Sequence, residues 1–175
     1  MQAKNRVRVT FLRGSGYGQR KVTLTLFYFR RLLLAASLLL AAFAARADIV
    51  DIDSATLAKL AASGVPVIDI RTRPEWEESG IVPGSHLLTF FDERGKADPG
   101  LWLERAKAVA KPGDPVIVIC RSGNRTKALS QFLSQQAGYK KVYNVSDGIR
   151  AWAKEGRPMV SAAPALASCR AARTC

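Results

Sequence analysis

The sequence is poor in the residues that build metal and redox centres. Its 175 residues include one histidine, His86, and three cysteines, Cys120, Cys169 and Cys175. No Cys/His cluster is visible, so we expect no metal site and no other cofactor. A lone histidine is more often structural than catalytic, and we interpret His86 in that way. A disulfide between Cys169 and Cys175 would leave Cys120 as a free, reactive thiol.

Acidic residues are absent from the first 47 positions. The segment Met1–Ala47 carries nine basic residues: Lys4, Arg6, Arg8, Arg13, Arg20, Lys21, Arg30, Arg31 and Arg46. The remainder, Asp48–Cys175, carries a net charge of +4, compared with +13 for the whole chain. The basic excess therefore belongs to the leader. Because no separate basic stripe is interleaved with aromatic residues, we do not expect nucleic-acid binding.

The chain also lacks a long hydrophobic run. Its longest, Leu32–Ala45, has 14 residues interrupted only by Ser37, which is short for a membrane span. Arg30 and Arg31 precede the run, and the small-residue pattern Ala45-Arg46-Ala47 ends it. This order predicts a signal peptide and a periplasmic protein beginning at Asp48. The alternative is an uncleaved leader that anchors the protein to the inner membrane through Leu32–Ala45.

The most informative stretch runs from Val116 to Gln136. Val116–Cys120 is a β-branched apolar run that predicts a buried strand, and Lys127–Gln136 has the apolar spacing of a helix. The loop between them begins with Cys120 and contains Gly123, which can adopt a positive φ. Backbone N–H groups in such a loop, together with the helix N-terminus, bind anions and favour a thiolate. We expect Thr126 to cap the helix.

Strands alternate with helices along the chain, which predicts an α/β domain with a small parallel sheet and helices on both faces. The predicted strands are Asp48–Ile52, Pro66–Ile70, a short strand at His86, Val116–Ile119 and Lys140–Val145. The predicted helices are Ala55–Ala62, one that starts at Pro74, Leu101–Ala110, Lys127–Gln136 and Gly148–Glu155. This domain covers residues 48–159, between the leader at 1–47 and an Ala-rich stretch at 160–175 that is expected to be a flexible tail. The Cys120 loop then lies at the carboxyl edge of the sheet, where such folds bind ligands.

Three ordered motifs resemble the rhodanese family of single-domain sulfurtransferases. The loop Cys120–Thr126 is similar to the family's active-site loop, Val67–Ser85 to its first signature, and Val142–Pro158 to its closing strand and helix. The resemblance extends from Asp48 to Met159. Two departures stand out: Gly80-Ile81-Val82 where the family often has Gly-His-Ile, and Asp147-Gly148 where it often has Gly-Gly.

The resemblance implies that Cys120 is the nucleophile and carries a sulfane sulfur as a persulfide. It implies that the following six residues bind the substrate: Arg121, Ser122, Gly123, Asn124, Arg125 and Thr126. Asp69 and Arg71 would have a structural role in holding loops beside the cysteine. The implied partners are a small anionic sulfur donor, either thiosulfate or a persulfide, and a thiol or cyanide acceptor. We expect the protein to be a monomer.

Two alternatives remain within the same fold. Some relatives are phosphatases or arsenate reductases, and the phosphatases place five residues between the cysteine and an arginine. Here four residues separate Cys120 from Arg125, and the smaller ring favours a single sulfur atom over a tetrahedral oxyanion. The second alternative is a non-catalytic domain that binds a partner or senses redox state.

Overall fold

The computed structural model describes residues 48–172. The predictions for Met1–Ala47, and the position of Cys175, lie outside the described residues. Within that range, five strands form one sheet: β1 (Asp48–Ile52), β2 (Val67–Asp69), β3 (His86–Leu87), β4 (Pro115–Ile119) and β5 (Lys141–Val145). Their spatial order is β1-β5-β4-β2-β3, and every neighbouring pair is parallel. The predicted parallel sheet is therefore confirmed.

Helices connect the strands, as the alternating pattern predicts. The helices are α1 (Ser54–Ala62), α2 (Arg73–Ser79), α3 (Pro99–Val109), α4 (Asn124–Gln135), α5 (Gly148–Lys154) and α6 (Ala163–Ala172). The Asp53 side chain caps α1 by accepting a hydrogen bond of 2.8 Å from the Thr56 N–H. The first five helices differ from the predicted ones mainly at their ends, because caps and prolines set those ends more locally than apolar spacing does.

The central strand β4 is buried on both faces of the sheet. Val116 and Val118 pack on one face in a cluster that includes Trp102 of α3 and Leu129 of α4. Ile117 and Ile119 pack on the opposite face, in a cluster with residues of α1 and α5: Leu57, Ile149 and Trp152. Because successive side chains of a strand point to opposite faces, an unbroken apolar strand requires helices on both sides.

The structure corrects the prediction of a flexible C-terminal tail. Residues Ala163–Ala172 form α6, which packs against the edge strand β3. Leu166 is only 7 % exposed and lies in a cluster with Trp76 and Leu87. The sequence showed no helical periodicity here because one leucine, with small alanines around it, is enough for close packing. Cys169 on this helix is disulfide-bonded, whereas Cys120 is free.

The strand order brings three chain segments together at the carboxyl edge of the sheet. β4 pairs with β2 on one side, with Ile119 opposite Asp69, and with β5 on the other, with Val118 opposite Asn144. The loop after β4 therefore lies between the segments that follow β2 and β5. Within residues 48–172, no helix is long and apolar enough to cross a membrane.

Candidate active site

Cys120 is the residue immediately after β4, at the centre of the carboxyl edge. Its side chain is 1 % exposed, and its Sγ lies 3.5 Å from Oγ1 of Thr126. The Thr126 hydroxyl also donates a 2.9 Å hydrogen bond to the Gly123 carbonyl. While the Thr126 proton is used in the bond to Gly123, the Cys120 thiol donates its own proton to Oγ1 of Thr126. A thiolate would instead accept the Thr126 proton, so this hydroxyl can serve both protonation states of the sulfur.

Gly123, not Thr126, caps the helix that follows the loop. Gly123 has φ 84° and ψ −20°, and α4 begins at the next residue, Asn124. The prediction of a Thr126 cap is therefore wrong, because the left-handed turn at Gly123 starts the helix earlier than the apolar spacing indicated. The Lys127 N–H bonds to the Gly123 carbonyl and makes the first turn of the helix. The N–H groups before it are those that a helix leaves without internal partners.

The loop is held from behind by the N-terminal turn of α5. The Ile149 N–H donates to the Cys120 carbonyl at 2.8 Å, and the Arg150 N–H donates to the Arg121 carbonyl at 3.2 Å. In a trans peptide the C=O and the next N–H point in opposite directions. The N–H groups of Arg121 and Ser122 are consequently directed away from α5. This arrangement leaves them available to an anion in front of the loop.

Two glycines make this close approach possible. A Cβ on Gly148 would lie 2.5 Å from the carbonyl oxygens of Cys120 and Arg121, and a Cβ on Gly123 would overlap the Ser146 carbonyl. Both glycines also have positive φ. The family often has Gly-Gly where this chain has Asp147-Gly148. Only the first residue of the pair differs, so the glycine that contacts the loop is kept.

Arg125 is oriented by Glu75, a residue that the sequence did not single out for the site. Its guanidinium donates to both carboxylate oxygens of Glu75, at 2.8 Å and 2.6 Å. Partial burial disfavours the charged carboxylate, but hydrogen bonds from Arg125 and from the Thr72 N–H outweigh it and lower the pKa of Glu75 to about 2. The pKa of Arg125 is raised, first by its hydrogen bond to Glu75 and then by the negative charges of Glu75 and Cys120. Partial burial alone would lower it. The Arg125 cation therefore interacts with the Glu75 carboxylate and also with Cys120.

One local sequence pattern could have indicated the structural part of the role of Glu75. Thr72 and Glu75 form a capping box at the start of α2, and their spacing of three residues is visible in the chain. The contact of Glu75 with Arg125, which lies fifty residues away in the chain, leaves no local pattern in the sequence.

Asp69 and Arg71 form a buried ion pair at the end of β2. Nη2 of Arg71 lies 2.7 Å from the Asp69 carboxylate, and both side chains are almost completely buried. The remaining guanidinium N–H groups bond to Asp69, to Ser79 Oγ and to the carbonyls of Glu75 and Gly80. All five N–H donors of Arg71 are therefore used within the protein. This geometry joins β2 to α2 and leaves no donor for a substrate.

The other predicted site residues lie at the surface of the loop. Arg121 and Asn124 are exposed, and Ser122 is half-buried. Arg121 lines a groove of about 330 Å³ together with residues of α2 and α5. A larger cavity of about 530 Å³, between β3 and α6, contains no residue of the Cys120 loop. The smaller groove is the relevant one, because its lining includes Arg121, the residue next to Cys120 in the chain. No group of three or more metal-binding side chains occurs within residues 48–172.

Comparison with known proteins settles the family. The model of the rhodanese-like domain matches residues 53–155. The chain belongs to the rhodanese-like family. Thiosulfate sulfurtransferase 18 of Arabidopsis thaliana is 31 % identical over 118 residues, which are 64 % of this chain and 84 % of that protein. A sulfurtransferase of Allochromatium vinosum is 34 % identical over 113 residues, which are 63 % of this chain and 94 % of that protein.

The rhodanese-like fold is also seen in solved structures. The polysulfide-sulfur transferase homodimer of Wolinella succinogenes matches with a TM-score of 0.50 and 24 % identity, over 73 % of this chain and 89 % of that chain. At this level of identity the likeness concerns the fold. The predicted family and the predicted fold class are therefore both confirmed.

Proposed function

We propose that this protein is a sulfurtransferase that carries a sulfane sulfur as a persulfide on Cys120. The observation that carries the proposal is a free cysteine at the end of the central strand, enclosed by a loop whose first N–H groups are directed away from α5. Two relatives at 31 % and 34 % identity, named as sulfurtransferases, support the same chemistry. Thiosulfate is the donor we propose, and a thiol is the acceptor.

The proposed reaction has two balanced steps. The Cys120 thiolate attacks the outer sulfur of thiosulfate, forming one S–S bond while the donor's S–S bond breaks and sulfite leaves with the electron pair. An acceptor thiolate then attacks the outer sulfur of the persulfide and releases the Cys120 thiolate. Oxidation of one sulfur matches reduction of the other, so no external oxidant is required.

The loop would stabilise the anionic persulfide in three ways. The N–H groups of Arg121 and Ser122 and the first turn of α4 supply hydrogen-bond donors at short range. The Thr126 hydroxyl can turn its proton to the sulfur. The Arg125 cation, held by Glu75, favours the negative charge.

A phosphatase or arsenate reductase is the weaker alternative. Such a reaction needs a cation that is free to bind a tetrahedral oxyanion, whereas Arg125 is bidentate to Glu75. These contacts, with the four-residue spacing, favour sulfur transfer. A non-catalytic role in partner binding or redox sensing is weaker because the cysteine and its loop are intact.

The test is persulfide formation followed by intact mass. The protein is incubated with thiosulfate, and Cys120→Ser serves as the control. We expect a gain of one sulfur atom in the parent and none in the variant, and transfer from thiosulfate to cyanide should fall to background in the variant. Hydrolysis of a small aryl phosphate is measured alongside. A serine variant that keeps most of the activity, or a parent that hydrolyses the phosphate ester faster than it transfers sulfur, would refute the proposal.

We also propose that the protein is exported and cleaved after Ala47. Support comes from the basic, apolar and small-residue order of the leader. The Asp48 N–H donates a 2.8 Å hydrogen bond to the Lys140 carbonyl. Cleavage of the Ala47–Asp48 peptide bond would keep this nitrogen, and with it every residue of β1. Anchoring through an uncleaved leader is the alternative.

A further inference from the structure

The groove beside the Cys120 loop carries two guanidinium groups that no other described residue neutralises. Arg121 and Arg150 both line it, and both are exposed. Neither side chain makes an ion pair or a hydrogen bond with another residue in the described range. Their proximity follows from the backbone, because the Arg150 N–H bonds to the Arg121 carbonyl.

The remaining charges in the groove are mostly committed to internal pairs. Arg71 uses its donors on Asp69 and on the end of α2, and Glu75 accepts from Arg125 and Thr72. Glu78 is the one other carboxylate on the lining and is exposed. Two free cations against one carboxylate leave the groove with a net positive charge. Ile149, Ala153 and Met159 supply an apolar floor.

We propose that this groove binds the carboxylate of a small thiol acceptor, and that Arg150 is a specificity-determining residue. The inference rests on the proposed sulfur transfer, since it assigns the acceptor of that reaction. An acceptor whose sulfur meets the persulfide in front of the loop would extend its remote end past Arg121 into the groove. A guanidinium recognises a carboxylate through two parallel hydrogen bonds, which a neutral or cationic thiol cannot accept in the same way.

The experiment isolates the acceptor step. The full protein is loaded with thiosulfate, freed of excess donor, and checked by intact mass for the persulfide. Loss of the added sulfur is then followed with three thiols of similar size: 3-mercaptopropionate, which is an anion; 2-mercaptoethanol, which is neutral; and cysteamine, which is a cation. Each rate is divided by the fraction of thiol ionised at the assay pH. If the parent never gains a sulfur, the proposed function fails before the acceptor is tested.

We expect the parent to prefer 3-mercaptopropionate over 2-mercaptoethanol, and Arg150→Ala to reduce that preference about tenfold, as for the loss of one charge-assisted hydrogen bond. Arg150→Glu should reverse the preference in favour of cysteamine, a gain that structural damage would not produce. Arg150→Lys should restore part of the preference. Lys154→Ala is the matched control, because it removes a cation from the same helix that does not line the groove. Equal rates for the three thiols in the loaded parent, or an unchanged preference in Arg150→Ala, would overturn the inference.

Discussion

Replacing Glu75 with glutamine removes the negative charge that holds Arg125 beside Cys120. The substitution keeps the length of the side chain and an oxygen that can accept from the Thr72 N–H. It replaces the bidentate ion pair with Arg125, whose two N···O distances are 2.6 Å and 2.8 Å, by a single hydrogen bond to a neutral amide oxygen. The change therefore tests the electrostatic part of this interaction with little loss of packing.

The size of the effect follows from the pKa of Glu75. Its ordinary pKa of 4.5 is lowered to about 2, and each pKa unit is worth about 1.4 kcal/mol, which sets an upper limit of ~3.5 kcal/mol. Both side chains remain 23–28 % exposed, so solvent screening reduces the expected loss to ~1–2 kcal/mol at pH 7. Because the folded state lowers this pKa, the contribution is complete above about pH 4.5 and is lost as the pH falls towards 2.

Urea unfolding of the parent and of Glu75→Gln between pH 2 and pH 7 measures this contribution. The two free energies of unfolding should differ by ~1–2 kcal/mol at pH 7 and converge as the pH approaches 2. Glu77→Gln is the control, since its pair with Arg73 lies on the same helix but is about half exposed. We expect that variant to lose less than ~0.5 kcal/mol. A loss that is equal in both variants, or one that does not change with pH, would refute the reasoning.

Two further predictions concern the loop and the leader. Gly148→Ala places a Cβ 2.5 Å from the Cys120 carbonyl oxygen, and we expect it to reduce sulfur transfer at least about tenfold. Gly156→Ala is the control and should keep its activity, because Gly156 also has a positive φ but a Cβ there would have no atom within 4 Å. Equal losses of activity in the two alanine variants would mean that backbone strain, and not contact with the loop, matters at this position. N-terminal sequencing of periplasmic protein should give Asp48 as the first residue, whereas a membrane-bound product that retains Arg30 and Arg31 would favour the anchor.

Patterns within short stretches predicted the central part of this fold. The β-branched run after Pro115 predicted a buried strand, and the helical spacing that follows predicted a tight connection between the two elements. Those two features place Cys120 at the carboxyl edge of the sheet, and Gly123 shows where the connection turns. Each of these inferences depends on residues within a few positions of one another, where local sterics and apolar spacing are decisive.

Contacts between distant segments were decided only by the tertiary structure. Glu75 meets Arg125 across fifty residues because β2 and β4 are neighbours and present the segments that follow them at the same edge. Gly148 touches the Cys120 loop for the same reason on the β5 side. The helix at Ala163–Ala172 depends on burying Leu166 against β3, which no local pattern records. Local propensity depends on residues that are neighbours in the chain. These interactions depend instead on which strands lie side by side, and strand order is set only when the whole chain has folded.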